Sequence, residues 1–437
     1  MTKADIIKTA FQVWGRSLYQ STSLSDIAQA LGVSKSALYR HFKSKQALLD
    51  AMYEWFFDEY AAFIKPQYHK ARASEDKRER LLIMVRIMVE YYIRNRDTSI
   101  FSLILVYGNQ HLENMVSSMV SRGLDMREFW GIEEGNPSYP SFTQLVIASL
   151  IFFVAYFHKC DHPSKEAPSD EQVRQFVGWV EEKIACGLGL YQETIEALDF
   201  EELESRFDQG VLRFNIDKCP QDMQGSDKKY KKSEDESLLK AIAAVVAEAG
   251  PWNASMDMVA RRSGLSKSGL YSHFKNKQDM IRYVFIEEFK RILRYAQVGL
   301  TLSTVPEEQL YLVILSIVDC LRSRPEILQA IDWLRTRHLN IDSKPAEILH
   351  IFSAIPLQPE GLITEQIGHL IFFLIINTLM HRPPGMAFSE FPNRSIRILY
   401  RFITLGITPP PTTNAHAKVS QDQGMVLHEP HRLYSII

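Results

Sequence analysis

The stretch SLSDIAQALGVSKSALYRHFKSKQALL, Ser23–Leu49, occurs a second time as SMDMVARRSGLSKSGLYSHFKNKQDMI, Ser255–Ile281, 232 residues further along the chain. The two copies align without a gap and are identical at thirteen of 27 positions. At five more positions one aliphatic residue replaces another. A repeat period of about half the chain indicates a duplicated protein, because the repeat units of solenoid proteins are far shorter.

The first copy has the pattern of two short helices joined by a glycine turn. Ser23, with Asp26 three residues later, is typical of a capping box at the start of a helix. Gly32 suits the turn because glycine tolerates a positive φ, and Ser34 caps the next helix, Lys35–His41. Two such helices form a helix-turn-helix motif. In that motif the second helix lies in the major groove of DNA.

Further helices are expected on both sides of this motif. The apolar stripe within residues 5–14 predicts a helix before it. Ser44 caps a helix after it, which should run to about Lys65. Pro66 is expected to end that helix, because proline lacks a backbone donor and its ring clashes with the preceding turn.

The composition is that of an ordinary globular protein. The chain has 437 residues, of which 46% are hydrophobic and 23% charged, and its length suits two to four domains. The most apolar run, 145–157, is too short to span a bilayer, and no signal-peptide pattern is present. The four cysteines include no C-x-x-C pair, so neither a zinc site nor a disulfide framework is indicated. These features favour a cytoplasmic protein without membrane contact.

Positive charge is concentrated in the repeats, although the net charge of the chain is only −2. Residues 1–50 and residues 255–282 each carry a net charge of +4, which leaves about −10 for the rest of the chain. Two basic patches on an acidic body fit a protein that meets DNA phosphates with two defined surfaces. Ordinary solvated surfaces can show the same pattern, so charge alone supports DNA binding only weakly.

The two copies of the repeat resemble the DNA-binding domain of the TetR family of bacterial regulators. The resemblance lies in I-A-x-x-x-G-V-S-K-x-x-L-Y-x-H-F-K-x-K, Ile27–Lys45, and V-A-x-x-x-G-L-S-K-x-x-L-Y-x-H-F-K-x-K, Val259–Lys277. It covers roughly 60 residues in each half, and the remainder is similar only in helical character and length. We call the complete repeats, Ser23–Leu49 and Ser255–Ile281, the first reader and the second reader.

The resemblance implies two kinds of DNA contact. Contacts to backbone phosphates are expected from the aromatic and basic positions Tyr39, His41, Lys45, Tyr271, His273 and Lys277. Base edges are expected to face Lys35, Ser36, Ala37 and Arg40 in the first reader, and Lys267, Ser268, Gly269 and Ser272 in the second. We call the second helix of each motif its reading helix. Ser34 and Ser266, which cap the two reading helices, complete the set of residues expected to bind DNA. Core positions are expected at Leu38, Phe42, Leu270 and Phe274.

The two readers differ where sequence specificity should arise. Arg40 can make a bidentate contact to guanine, whereas its counterpart Ser272 cannot. Ala37 can touch a thymine methyl group, whereas Gly269 offers no side chain. We therefore expect two unlike half-sites and an asymmetric operator. A symmetric homodimer, by contrast, reads a palindrome.

The fold class is expected to be all-α, with two TetR-like halves that form an intramolecular pseudo-dimer. Each half has an N-terminal helix-turn-helix domain and a helical regulatory body, whose last two helices should join a four-helix bundle. The predicted division runs as 1–50 (first DNA-binding domain), 51–215 (first body), 216–233 (linker), 234–282 (second DNA-binding domain), 283–407 (second body) and 408–437 (irregular tail).

The sequence thus predicts a transcriptional regulator in the bacterial cytoplasm, most simply a repressor, with double-stranded operator DNA as its partner. The resemblance also implies a small apolar or amphipathic effector, and further dimerisation of the chain stays open. No cofactor or metal is expected. An enzyme is not indicated, because motifs such as G-x-S-x-G and the P-loop are absent. The alternative is a nucleoid-organising or protein-interaction scaffold without a dedicated operator.

Overall fold

A computed structural model of the chain describes residues 2–14, 23–102, 112–125, 129, 142–158, 166–214, 232–329, 331, 346–357, 361–362, 364–382 and 385–407. Nearly all of the predicted linker 216–233 and the whole predicted tail 408–437 lie outside these residues.

Helices account for most of the described chain. Those of the first half are α1 (Lys3–Trp14), α2 (Leu24–Ala30), α3 (Lys35–Tyr39), α4 (Lys45–Ala73), α5 (Lys77–Arg94), α6 (Arg96–Phe101), α7 (Leu112–Val120), α8 (Phe142–Tyr156), α9 (Asp170–Cys186), α10 (Gln192–Glu196) and α11 (Phe200–Phe214). Those of the second half are α12 (Lys232–Asn253), α13 (Met256–Ser263), α14 (Lys267–His273), α15 (Lys277–Thr301), α16 (Pro306–Arg322), α17 (Ala346–Ser353), α18 (Glu365–Met380) and α19 (Asn393–Leu405).

Strand structure within the described residues is confined to one minimal hairpin. Strands β1 (Pro356–Leu357) and β2 (Gly361–Leu362) pair antiparallel, with Pro356 opposite Leu362. The all-α prediction is therefore confirmed.

The expected end of α4 at Pro66 is wrong. The helix continues through Pro66 to Ala73, although a proline inside a helix costs about 3 kcal/mol or more. Burial of the turns around the proline offsets that cost, since Ile64, Tyr68 and Ala71 are all at most 2% exposed. The Tyr68 hydroxyl also donates a hydrogen bond to the carbonyl oxygen of Asp125 over 3.2 Å. Tertiary packing thus overrides the local signal.

The chain divides into two compact units. One consists of Met1–Asn136 and Ser149–Ile184, and the other of Pro137–Ala148 and Ala185–Ile437. The segment 187–214, with α10 and α11, therefore packs in the second unit, although it precedes the predicted linker in sequence. The predicted domain boundaries stay predictions, since packing within a unit does not show which segments fold independently.

Backbone contacts hold the start of the segment 187–214 against α19. The backbone N–H of Leu188 donates to the carbonyl oxygen of Ile403 over 2.8 Å, and that of Leu190 donates to Thr404 over 3.2 Å. Gly187 has a φ of +60°, and a Cβ atom there would lie only 2.4 Å from the Ile403 carbonyl oxygen. Glycine is therefore required at this approach of two backbones.

Side chains of α11 hold the rest of the segment. The Arg397 guanidinium donates to both carboxylate oxygens of Glu204 over 2.8 and 2.9 Å, and the Tyr311 hydroxyl donates to Glu204 over 2.6 Å. The ring of Phe200 lies edge-on to Tyr311, with 4.8 Å between centroids, and 5.8 Å from the ring of Tyr400. A bidentate ion pair beside an aromatic cluster fixes both the position and the orientation of α11.

Replacing Glu204 by glutamine should weaken the second unit. The amide keeps the volume of the side chain but loses the charge that accepts from Arg397 and Tyr311. We expect a loss of about 1–2 kcal/mol in the free energy of unfolding, seen as a lower midpoint in urea unfolding followed by circular dichroism. Glu171→Gln is the matched control, because Glu171 pairs with Arg174 at an exposed site and should not move the midpoint. Equal midpoints for both variants would contradict the assigned role of Glu204.

The contribution of Glu204 should depend on pH. Burial tends to raise the pKa of this carboxyl, but hydrogen bonds from Arg397 and Tyr311 outweigh it, and the pKa lies below its ordinary value of 4.5. A pKa lowered on folding stabilises the folded state above the unfolded value and loses that effect as pH falls through the folded value. The stability difference between wild type and Glu204→Gln should therefore be constant above about pH 5 and shrink below it. Urea midpoints measured between pH 3 and pH 7 test this, and a difference independent of pH would exclude it.

Candidate nucleic-acid interface

Side-chain caps and one glycine turn position the reading helix of the first reader. Ser23 and Asp26 form the capping box at the start of α2: the Ser23 N–H donates to the Asp26 carboxylate over 2.6 Å, and the Ser23 hydroxyl accepts from the Asp26 N–H over 3.3 Å. Gly32 turns the chain with a φ of +67°. The Ser34 hydroxyl then accepts from the Ala37 N–H over 3.2 Å and begins α3.

The second reader has the same geometry with one cap reduced. Ser255 accepts from the Met258 N–H over 3.2 Å, but Met258 has no carboxylate with which to complete the box. Gly264 turns the chain in the left-handed region, with a φ of +73°, and Ser266 begins α14 by accepting from the Gly269 N–H over 3.0 Å. Two helices at a glycine turn are thus built twice by the same residue types.

Both reading helices rest on the core through matching side chains. Leu38 and Leu270 are fully buried, and Phe42 and Phe274 are each 4% exposed. The expected core positions are therefore confirmed. The other face of each helix is left open, with Tyr39 at 42% and Tyr271 at 48% exposure.

The structure places the residues expected to contact DNA outside the core of each reader. Ten of the side chains are exposed: Ser34, Lys35, Ser36, Tyr39, Arg40, Ser266, Lys267, Ser268, Tyr271 and Ser272. His273 is exposed as well, and the remaining five are partly exposed: Ala37, His41, Lys45, Gly269 and Lys277. None lies in the core, and their contact with DNA stays a prediction.

The lysines expected to meet phosphate stand at the start of long helices. Lys45 is the first residue of α4, where the Ser44 hydroxyl accepts from the Ala47 N–H over 3.0 Å. Lys277 is the first residue of α15, where the Asn276 side chain accepts from the Asp279 N–H over 2.9 Å. The partial positive charge of a helix N-terminus adds to the charge of the lysine and favours an anion.

The lysines that begin the reading helices differ in their surroundings. Lys267 Nζ lies 3.0 Å from a carboxylate oxygen of Asp257, and the hydrogen bond and charge of Asp257 raise the pKa of Lys267. The counterpart Lys35 has its Nζ 5.8 Å from the ring centroid of Tyr39. The repeat shows that Asp257 replaces Ser25, but the sequence did not predict that Asp257 pairs with Lys267. Its partners are ten residues apart across a turn, where no local sequence rule applies.

Arg40 and Ser272 also differ in their bonding. The Ser272 hydroxyl donates to the carbonyl oxygen of Gly269 over 2.6 Å and so faces back onto its own helix. The exposed Arg40 guanidinium has no hydrogen-bond or ion-pair partner among the described residues. The first reader thus presents a five-donor group to the solvent where the second presents a hydroxyl already in use.

Neither a membrane-spanning helix nor a metal-binding cluster occurs in the described part of the chain. None of the helices there combines the length and the apolar character needed to cross a bilayer. The same residues hold no group of three or more His, Cys, Asp or Glu side chains placed to bind a metal ion.

Both readers match one known family. Residues 6–52 and 238–284 each match the family model described as bacterial regulatory proteins, tetR family. The chain is 41% identical over 54 residues to the uncharacterized HTH-type transcriptional regulator YerO of Bacillus subtilis, which is 12% of this chain and 19% of that protein. The chain thus spans about a fifth of the length of that relative.

Two further relatives have longer alignments. The HTH-type transcriptional regulator TtgR of Pseudomonas putida is 37% identical over 82 residues, 18% of this chain and 34% of TtgR. The biofilm operon icaADBC HTH-type negative transcriptional regulator IcaR of Staphylococcus aureus is 24% identical over 180 residues, 40% of this chain and 92% of IcaR.

The buried leucine of each reading helix should decide whether that reader is folded. Removing a fully buried leucine side chain costs about 2–5 kcal/mol, and α3 is too short to persist without its packing. Leu38→Ala should therefore speed amide hydrogen exchange in residues 24–41 and leave residues 256–273 unchanged, with the reverse for Leu270→Ala. Exposed Lys43→Ala is the control and should change neither region. Unchanged exchange in both leucine variants would show that the reading helices do not depend on these contacts.

Proposed function

Since the chain carries two TetR-family DNA-binding domains in tandem, we propose that it is a transcriptional regulator that reads one operator with two unlike readers. The main support for this proposal is that the helix-turn-helix occurs twice in one chain, each time with serine caps, a buried leucine and an open polar face. In such a motif the N-terminal part of the second helix contacts base edges.

The two halves act as a pseudo-dimer within one chain. A two-fold symmetric dimer presents identical reading helices and therefore selects a palindrome. Here Arg40 is available for a bidentate contact with guanine, while the Ser272 hydroxyl already donates to Gly269. The operator is therefore asymmetric, with a guanine preference in the half read by the first reader. Pairing of two chains, which would present four readers, is the competing arrangement.

Repression is the proposed output, and a small apolar or amphipathic effector relieves it. The relative IcaR is a negative regulator by its name, which supports the direction of control. In the first unit the ring of Tyr60 on α4 lies 4.8 Å from Tyr91 and 5.5 Å from Tyr92 on α5. An effector that separates these rings acts directly on α4, the helix that follows the first reading helix. DNA binding of this kind places the protein in the bacterial cytoplasm.

Selection of bound sequences from a random DNA pool tests the asymmetric operator. Wild type is compared with Tyr39→Ala/Lys45→Ala, which disables the first reader, and with Tyr271→Ala/Lys277→Ala, which disables the second. We expect a non-palindromic site in which each double variant weakens the preference in one half only. Lys43→Ala and Lys275→Ala are matched controls, because both lysines are exposed beside the reading helices and are expected to be solvated. They should keep the wild-type sequence preference.

Other outcomes of this selection would support the competing arrangements. A palindrome that depends on only one pair of residues would show that one reader is inactive and that the chain dimerises. A pool without any enriched sequence would exclude a dedicated operator and favour the nucleoid-organising or protein-interaction scaffold. Titration with salt separates the two functions further, because a regulator keeps its sequence preference as salt rises, while a scaffold loses all binding uniformly.

A further inference from the structure

We propose that Asp257 competes with DNA for Lys267 and so makes the second reader the weaker of the two. The inference rests on the proposed function, since it concerns how strongly each reader holds its half-site. Asp257 is the second residue of α13, and Lys267 is the first residue of the reading helix α14. The pair therefore spans the two helices of the motif at the open face.

The contact has the geometry of an occupied anion site. Lys267 Nζ lies 3.0 Å from Oδ1 of Asp257 and 3.2 Å from Oδ2. Both side chains are about half exposed, so the carboxylate stands where a DNA phosphate or a guanine edge would approach the lysine. Binding of Lys267 to DNA has to break this pair. It also brings the carboxylate of Asp257 close to the phosphates, and like charges repel.

The first reader lacks this competitor. Position 25 is a serine, and Lys35 lies over the ring of Tyr39 with no carboxylate partner among the described residues. A lysine held only by a ring face at an exposed site gives up little when it moves to a phosphate. Both reading helices thus begin with a lysine. To bind DNA, Lys35 leaves an aromatic ring, whereas Lys267 must leave a carboxylate.

A second carboxylate acts in the same direction. Asp279 lies in the first turn of α15 and accepts from the Lys275 N–H over 3.1 Å. The corresponding residue in the first reader is Ala47. A carboxylate in that turn already occupies the helix N-terminus that is expected to receive a phosphate. The second reader therefore carries two acids where the first has neutral residues.

The one acid that occurs only in the first reader is placed differently. Asp26, which corresponds to Met258, accepts from both the N–H and the hydroxyl of Ser23. These bonds, with a smaller contribution from the charge of Lys45, lower its pKa and hold the carboxylate at the start of α2 as part of the cap. In the second reader Arg262 could add positive charge, but it pairs with Glu248 over 2.5 Å. The second reader also has Arg261 where the first has Gln29, at the end of α13. At the reading helix itself, where Lys267 is paired and Ser272 replaces Arg40, the differences favour tighter binding by the first reader.

The exchange of residues between the two readers tests the proposal in the full chain. Asp257→Ser gives the second reader the residue of the first, and Ser25→Asp does the reverse. Affinity is measured on the selected operator and on versions with one half scrambled. We expect Asp257→Ser to bind the second half-site about two- to fivefold more tightly, the range of an exposed ion pair. Ser25→Asp should weaken the first half-site by a similar factor.

The salt dependence gives a second readout that a structural role would not change. When Lys267 no longer leaves an acid for DNA, binding releases one more counterion, so the slope of log K against log salt should steepen by about one. Circular dichroism and thermal unfolding confirm that both variants are folded. In Lys267→Ala the gain from Asp257→Ser should be smaller, because only the repulsion is removed.

Two results would overturn the proposal. Unchanged affinity and slope in Asp257→Ser would show that the pair does not compete with DNA. A lower affinity would show that the carboxylate itself contacts DNA, as an acid can accept from the cytosine amino group. If the pool selection enriches no sequence, the proposed function fails separately. The same variants are then compared on one fixed random duplex, where the gain and the steeper slope are still expected, since both arise from phosphate contacts.

Discussion

The open face of each reading helix depends on the burial of one leucine and one phenylalanine beneath it. A helix of five to seven residues is not stable in water, because the cost of forming its first turn exceeds what so few hydrogen bonds return. Leu38 with Phe42, and Leu270 with Phe274, anchor these helices to the core. Because packing supplies the stability, the residues on the open face are free to differ. The reading helices keep their buried leucine and phenylalanine, and they differ on the open face at Ala37/Gly269 and Arg40/Ser272.

Duplication within one chain removes the constraint of symmetry. In a homodimer every change on the reading helix appears twice, so both half-sites change together. Here Ser25 and Asp257, or Arg40 and Ser272, occupy the same place in two copies and have diverged independently. In the proposed function, the stronger reader fixes the register of the protein on DNA, and the weaker one adjusts the total affinity. Total affinity matters because a regulator must also leave its operator.

The sequence predicted the elements that local chemistry determines. Serine caps, the turn glycines and the apolar stripes predicted the helices of the readers, because these signals act within a few residues. It failed at Pro66, where buried side chains on both sides carry the helix through the proline. It also gave no sign of the Asp257–Lys267 pair or of the Glu204–Arg397 pair. The members of these pairs are separated in sequence and are brought together only by the fold.

The segment 187–214 shows why the sequence boundary and the packing boundary differ. The polar stretch 216–233 is predicted as a linker by its composition, but composition does not reveal what the preceding helix packs against. Glu204 is held by Arg397 and Tyr311, and Gly187 allows the backbone to reach Ile403. The second unit thus includes α11, a helix that precedes the second reader in sequence. Residues before and after the second reader complete the packing of this unit. The second reader is therefore inserted within the sequence of its own unit.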